Sequence, residues 1–230
     1  MSKFRVAAAF LPIALTAAAP AGLSVDSLEA LRAIDLRLGT IGYRLATANA
    51  ALCDRQAPIT GALFHAIAQY DRASEAAARQ AFGFATPVAV EAVVAGSPAA
   101  RAGLQPNDGI VAVDGTNVAS VGAPSSVADR DAVLAAIARG GMRVRLDVVR
   151  GGAGRTVDVA GVAGCAATFE VVLGPAMTAQ SDGKVVQLGV RFFERYRDDE
   201  VAVIAAHELA HIVLKHRARL EAAGVKGGLF

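Results

Sequence analysis

The chain has 230 residues and a net charge of +2, with 21 acidic and 23 basic residues interspersed; 54% of it is apolar and only 5% aromatic. This length leaves room for one or two domains. The mixed charge offers no basic stripe for nucleic acid and no acidic tail, and the many alanines favour helices with a core of small side chains.

Met1–Ala21 reads as an export signal. Lys3 and Arg5 precede an apolar stretch, Val6–Ala18, which is interrupted by Pro12 and short for a membrane span. Ala19-Pro20-Ala21 fits a small-x-small cleavage site that would leave Gly22 first. Export implies an envelope compartment, the periplasm of a Gram-negative cell, with membrane association only if the signal stays uncleaved. In that oxidising setting Cys53 and Cys165, the two cysteines, are expected to pair.

Ser24–Cys53 predicts a helix: Ser24, Asp26 and Ser27 offer caps, and Leu28, Leu31, Ile34, Leu38 and Ile41 recur at helical spacing. Gly39 and Gly42 predict a bend in it. After a break at Pro58–Gly61, a second helical stretch is expected to about Ala81, with His65 as a packed or half-exposed side chain in it.

From Phe82 the character changes to short β-prone runs. Val88–Val94 predicts a strand, Gly96–Leu104 a turn with a short helix, and Ile110–Val113 a strand ending in the hairpin signal Asp114-Gly115. Ser126-x-x-Asp129 opens a helix to Arg139, and Arg143–Arg150 and Thr156–Val159 read as strands joined by a glycine turn. The run from Val93 to Val118, with Gly-Ser-Pro-Ala-Ala-Arg-Ala-Gly-Leu-Gln-Pro-Asn-Asp-Gly at its heart, resembles a bacterial PDZ domain. The resemblance implies that an extended peptide, often a chain end, is bound as an added strand. Phe82, Gly83 and Phe84 stand where that family's carboxylate-binding loop would be, and the Asp129–Arg139 helix would wall the groove with Val133 and Ile137.

Thr168–Leu173 and Lys184–Val190 read as strands separated by a turn, and Asp198-Asp199-Glu200 are acids suited to a helix N-terminus. The helix that follows, expected to reach about Leu220, carries His207-Glu208-Leu209-Ala210-His211. Residues four apart on a helix share a face, so His207 and His211 can hold one Zn²⁺ while Glu208 takes a proton from the attacking water. Strand, strand and motif helix is the order of a zincin-type peptidase, in which a sheet-edge strand can align substrate.

Asp199–His216, together with Ser181–Gly189 before it, resembles the M48-type zinc metallopeptidases. The resemblance implies one Zn²⁺ per chain, held by His207 and His211, with Glu208 as general base. His216 stands at that family's usual histidine position and reads as a helix-terminal side chain rather than a ligand. The family's third ligand is a glutamate in an E-x-x-x-D-like segment on a later helix. Here Glu221 is the one acid after His211 and is expected on the same helix, so the chain is expected to be a fragment of a longer protease or a degenerate member.

The expected organisation is α+β: signal peptide 1–21, N-terminal helices 22–81, a PDZ-like β-barrel or sandwich with a groove helix over 82–164, and the start of a zincin-type domain, strands plus motif helix, over 165–230. The expected function is zinc-dependent endopeptidase action on envelope proteins or peptides, with the PDZ domain binding peptide ends and no nucleic-acid partner. The alternative is a non-catalytic PDZ protein that captures peptides beside a degenerate metal site. An intramembrane protease is disfavoured because Val201–Leu214 is too short to span and is flanked by charges.

Overall fold

The computed structural model describes residues 22–118 and 127–225. Helix α1 runs from Val25 to Ala48, and the Ser24 hydroxyl accepts the Ser27 N–H at 3.2 Å to cap it. The helix is continuous through both glycines. Gly39 and Gly42 mark close approaches instead of a bend: a methyl at Gly39 would meet Leu63 at 2.7 Å, and one at Gly42 would meet Phe169 at 2.5 Å. The missing side chains let α1 lie against two different sheets. The expected cap at Ser126 and the export signal fall outside the described residues.

β1 covers Gln56–Ile59, at the expected break. The expected second helix is itself interrupted: it opens as a strand, β2 (Ala62–Ala66), continues as a 3-10 turn at Ile67–Gln69, and is α-helical over Glu75–Phe82, α2. The run Leu63-Phe-His-Ala takes its place at the end of a sheet, where Phe64, His65 and Ala66 are buried; this packing overrides alanine's helical preference. β3 (Val88–Val93), the short helix α3 (Pro98–Arg101), β4 (Gly109–Val113), β5 (Thr116–Asn117), α4 (Ala128–Arg139), β6 (Arg143–Arg150) and β7 (Ala153–Ala160) follow. The sheet order is β2-β3-β4-β6-β7, all antiparallel, with β5 hairpinned onto β4 through Asp114 and Gly115, both at positive φ. Val88, Val90, Ile110, Val133, Val144 and Leu146 are among the residues of its core, so α4 closes the sheet from one side. Arg150 ties β6 to the Gln105–Asp108 turn through two 2.6 Å bonds to the fully buried Asp108 carboxylate.

The remaining elements are β8 (Val162–Cys165), β9 (Thr168–Val172), β10 (Ala179–Ser181), β11 (Val185–Gly189), α5 (Arg191–Arg195), α6 (Asp198–Val213) and α7 (His216–Ala222). β8 pairs with β1, and a second sheet has the order β10-β11-β9, with β9 and β11 parallel. The segment read as a turn at Ala179–Gly183 thus supplies an edge strand. Leu38 and Ile41 of α1 share a core with Val186 and Leu188 of β11, Phe192 and Phe193 of α5, and Val201 and Ala205 of α6. The N-terminal helix thus shares a core with the C-terminal elements, while its Leu28 packs with Ala78 and Phe82 of α2. Arg37 of α1 fixes this packing by reaching Asp198 at the start of α6, at 2.8 Å.

The expected single helix through Leu220 is two helices. α6 ends at Val213, and Lys215 takes a left-handed conformation (φ 52°) that redirects the chain into α7. Lys215 also forms an ion pair with Asp54, next to Cys53.

Candidate functional site

The apolar side of α6, with Val201, Ala205 and Leu209 buried, turns His207 and His211 to the opposite side. Their Nε2 atoms converge to 3.2 Å. Two nitrogens bound to one tetrahedral zinc at about 2.0–2.1 Å would lie roughly 3.3 Å apart, so this pair has the spacing of two ligands to one ion. Burial holds the His211 imidazole below the usual histidine range; the Glu208 charge works against this, and the His216 and His207 charges add to it. The neutral ring is the form that coordinates metal. Glu208 is 5% exposed, and its Oε2 atom is buried without a hydrogen-bond partner among the described residues.

His216 reaches back to His211, Nδ1 to Nδ1 at 2.8 Å. Glu221 is not on the motif helix: it sits on α7, where its Oε1 accepts from Arg217 at 3.0 Å. It lines the same cavity as His211, Asp182, Lys184 and Lys215, with a volume of about 290 Å³. Among the described residues, no group of three or more His, Cys, Asp or Glu side chains is arranged to hold a metal. β10, one edge strand of the three-stranded sheet, packs against α6.

Cys53 and Cys165 form a disulfide, their Cα atoms 5.3 Å apart. It ties the segment after α1 to the end of β8, beside Ala46 and the Leu209 side chain of the motif helix.

Phe82, Gly83 and Phe84 lie at the end of α2. Phe82 is buried, Gly83 caps the helix at φ 58°, and both aromatic rings pack on His65 and Tyr70. β2 is one edge strand of the PDZ-like sheet, and it faces a cavity of about 940 Å³ also lined by α4 and β9. Phe82–Phe84 does not line that cavity. Of the two α4 residues assigned to a groove wall, Val133 points into the core, fully buried, whereas Ile137 serves both core and cavity; Arg130 and Leu134 complete the wall. Arg130 crosses to Glu170 on β9 at 2.8 Å.

The sequence reading missed the polar group beneath this cavity. Asp35 of α1 hydrogen-bonds Glu91 of β3. His65, 2% exposed, bonds Tyr70 Oη through Nδ1 at 2.8 Å and lies 4.0 Å from Glu91. Burial, then the Arg32 charge, pushes His65 down to about 3, so it is neutral at physiological pH. The available signal was an acid inside each apolar pattern, Leu31-x-x-x-Asp35-x-x-Leu38 and Val88-Ala-Val-Glu-Ala-Val93.

The PDZ domain family matches residues 89–150, from β3 to the end of β6. A comparison with curated proteins gives no match. No helix among the described residues is long and apolar enough to cross a membrane.

Proposed function

We propose that the chain belongs to a zinc-dependent peptidase that carries a PDZ domain for peptide ends. The convergence of His207 and His211 Nε2 to 3.2 Å, with the buried Glu208 carboxylate next to them in the chain, is the observation that carries this reading. His207 and His211 would hold the ion through Nε2. When bound, zinc supplies a Lewis acid that polarises a scissile carbonyl and acidifies the attacking water. Glu208 would act as general base, accepting a proton from the nucleophilic water and passing it to the leaving amine. β10 offers an edge strand beside α6, along which an extended substrate can align its backbone, as in the zincin-type arrangement. The disulfide and the export signal are consistent with work in the cell envelope on protein or peptide substrates.

A second reading is a peptide-binding protein whose metal site is inert. It draws support from the PDZ match at residues 89–150 and from the β2 edge strand beside α4. One experiment separates the two: digestion of an unfolded protein such as casein by the zinc-supplemented full chain and by Glu208→Gln. The peptidase reading expects cleavage that falls at least about a hundredfold in Glu208→Gln at equal zinc content. Absence of cleavage by either protein, with binding of a peptide that ends in a free carboxylate, favours the second.

A further inference from the structure

We propose that His216 is a positioning residue for His211, fixing the orientation and tautomer of that ring for metal binding. The inference rests on the reading of His207 and His211 as metal ligands. On an uninterrupted α-helix a residue five positions on lies about 140° around the axis and faces away. The left-handed Lys215 breaks the helix between the two histidines and brings His216 back over His211, with ring centroids 4.7 Å apart and planes crossing at 83°. The corner is anchored from outside by the Lys215–Asp54 ion pair, one residue from the Cys53–Cys165 disulfide. A bulky residue in a left-handed conformation is uncommon and marks a place where the surrounding structure sets the backbone.

The two nitrogens of His211 then have separate tasks. Its Nε2 faces His207 Nε2 at 3.2 Å, and its Nδ1 faces His216 Nδ1 at 2.8 Å. A contact of 2.8 Å between two ring nitrogens requires a proton on one and a lone pair on the other. For His211 to offer its Nε2 lone pair to a metal, its proton must sit on Nδ1. His211 Nδ1–H therefore donates to His216 Nδ1, and His216 carries its own proton on Nε2. A carboxylate or a backbone carbonyl commonly takes this accepting role behind a metal-bound histidine. Here the accepting atom is supplied by a second imidazole.

The test uses the full chain and Zn²⁺ alone, with affinity measured by competition against a chromophoric chelator, alongside the absorption spectrum of the Co²⁺-loaded protein. His216→Leu should weaken Zn²⁺ binding about ten- to hundredfold, the usual loss when such a partner is removed. His216→Asn places an amide oxygen near the Nδ1 position and should restore affinity to within about threefold of the wild type, on the same reasoning. The melting temperatures of the metal-free proteins report folding separately. Equal affinity of wild type and His216→Leu, or failure of His216→Asn to recover more than His216→Leu, would overturn the proposal while leaving the metal site intact. Absence of Zn²⁺ binding by the wild type would overturn the metal-site reading and this inference with it. Nitrogen-15 spectra of the histidine-labelled protein give a readout independent of affinity: His211 protonated on Nδ1 and His216 on Nε2 in the Zn²⁺-bound state, the opposite assignment contradicting it.

Discussion

Asp35 of α1 and Glu91 of β3 share a hydrogen bond between two carboxyl groups largely shielded from water. Burial pushes Asp35 up to about 7, the bond to Glu91 opposes this, and the Glu170 charge adds to it. Glu91 is raised as well, first by burial and then by the Asp35 charge. The folded protein thus holds protons that the unfolded chain releases near pH 4, so stability falls as pH rises from about 4 through about 7, where Asp35 ionises. Asp35→Asn keeps a bond to Glu91 without the charge. It should flatten that fall and raise stability at pH 8 by on the order of 1–3 kcal/mol, since each pKa unit is worth about 1.4. Urea midpoints at pH 5 and pH 8 for both proteins check this.

The disulfide spans 112 residues and fastens the segment after α1 to β8. Its loss should cost about 2–4 kcal/mol. Thiol titration of the unfolded, unreduced protein should find no free thiol, and reduction should lower the denaturation midpoint. Because the bond lies beside Leu209 of the motif helix, α6 should lose hydrogen-exchange protection on reduction before the PDZ-like sheet does.

Gly42→Leu should be among the most damaging single changes in α1. Even a methyl there would meet the Phe169 ring at 2.5 Å, so the helix and β9 must part. A loss of about 1–3 kcal/mol is expected from such overpacking, with the far-UV spectrum retained.

Gly83 has open space around its missing side chain but sits at φ 58°. Gly83→Val should therefore act through backbone strain, costing about 1–2 kcal/mol of stability. Since Phe82–Phe84 does not line the β2–α4 cavity, affinity for a peptide with a free carboxyl end should change less than about twofold, the size expected of a surface change away from the site. Calorimetric titration of wild type and variant with one such peptide checks this.

Strands β3, β4, β6 and β7, helices α1 and α4, and the start of α6 were legible in the sequence because their periods agree with their final burial. β2 was not: Leu63-Phe-His-Ala has no period long enough to separate strand from helix, and its partner β3 lies more than twenty residues on. The glycines of α1 signalled something special, but only the positions of Leu63 and Phe169 show that it is close packing and not a bend. The shared face of His207 and His211 was legible directly, since a helix turns residues four apart onto one face. The approach of His216 to His211 was hidden, because nothing in a lysine announces a left-handed corner. The surroundings of Phe82–Phe84 were hidden for a similar reason: the order of residues resembled a carboxylate loop, whereas both aromatic rings pack on His65 and Tyr70 and lie outside the β2–α4 cavity.

Zinc titration of the metal-free full chain and of His207→Ala, followed by calorimetry and elemental analysis, tests the central claim most directly. With two ligands supplied by His207 and His211, the wild type should bind one Zn²⁺ per chain, weakly. His207→Ala removes one of the two converging nitrogens and should lose bound zinc while its fold is retained, because His207 is exposed and packs in none of the cores. Equal zinc stoichiometry and affinity in the two proteins would contradict the account.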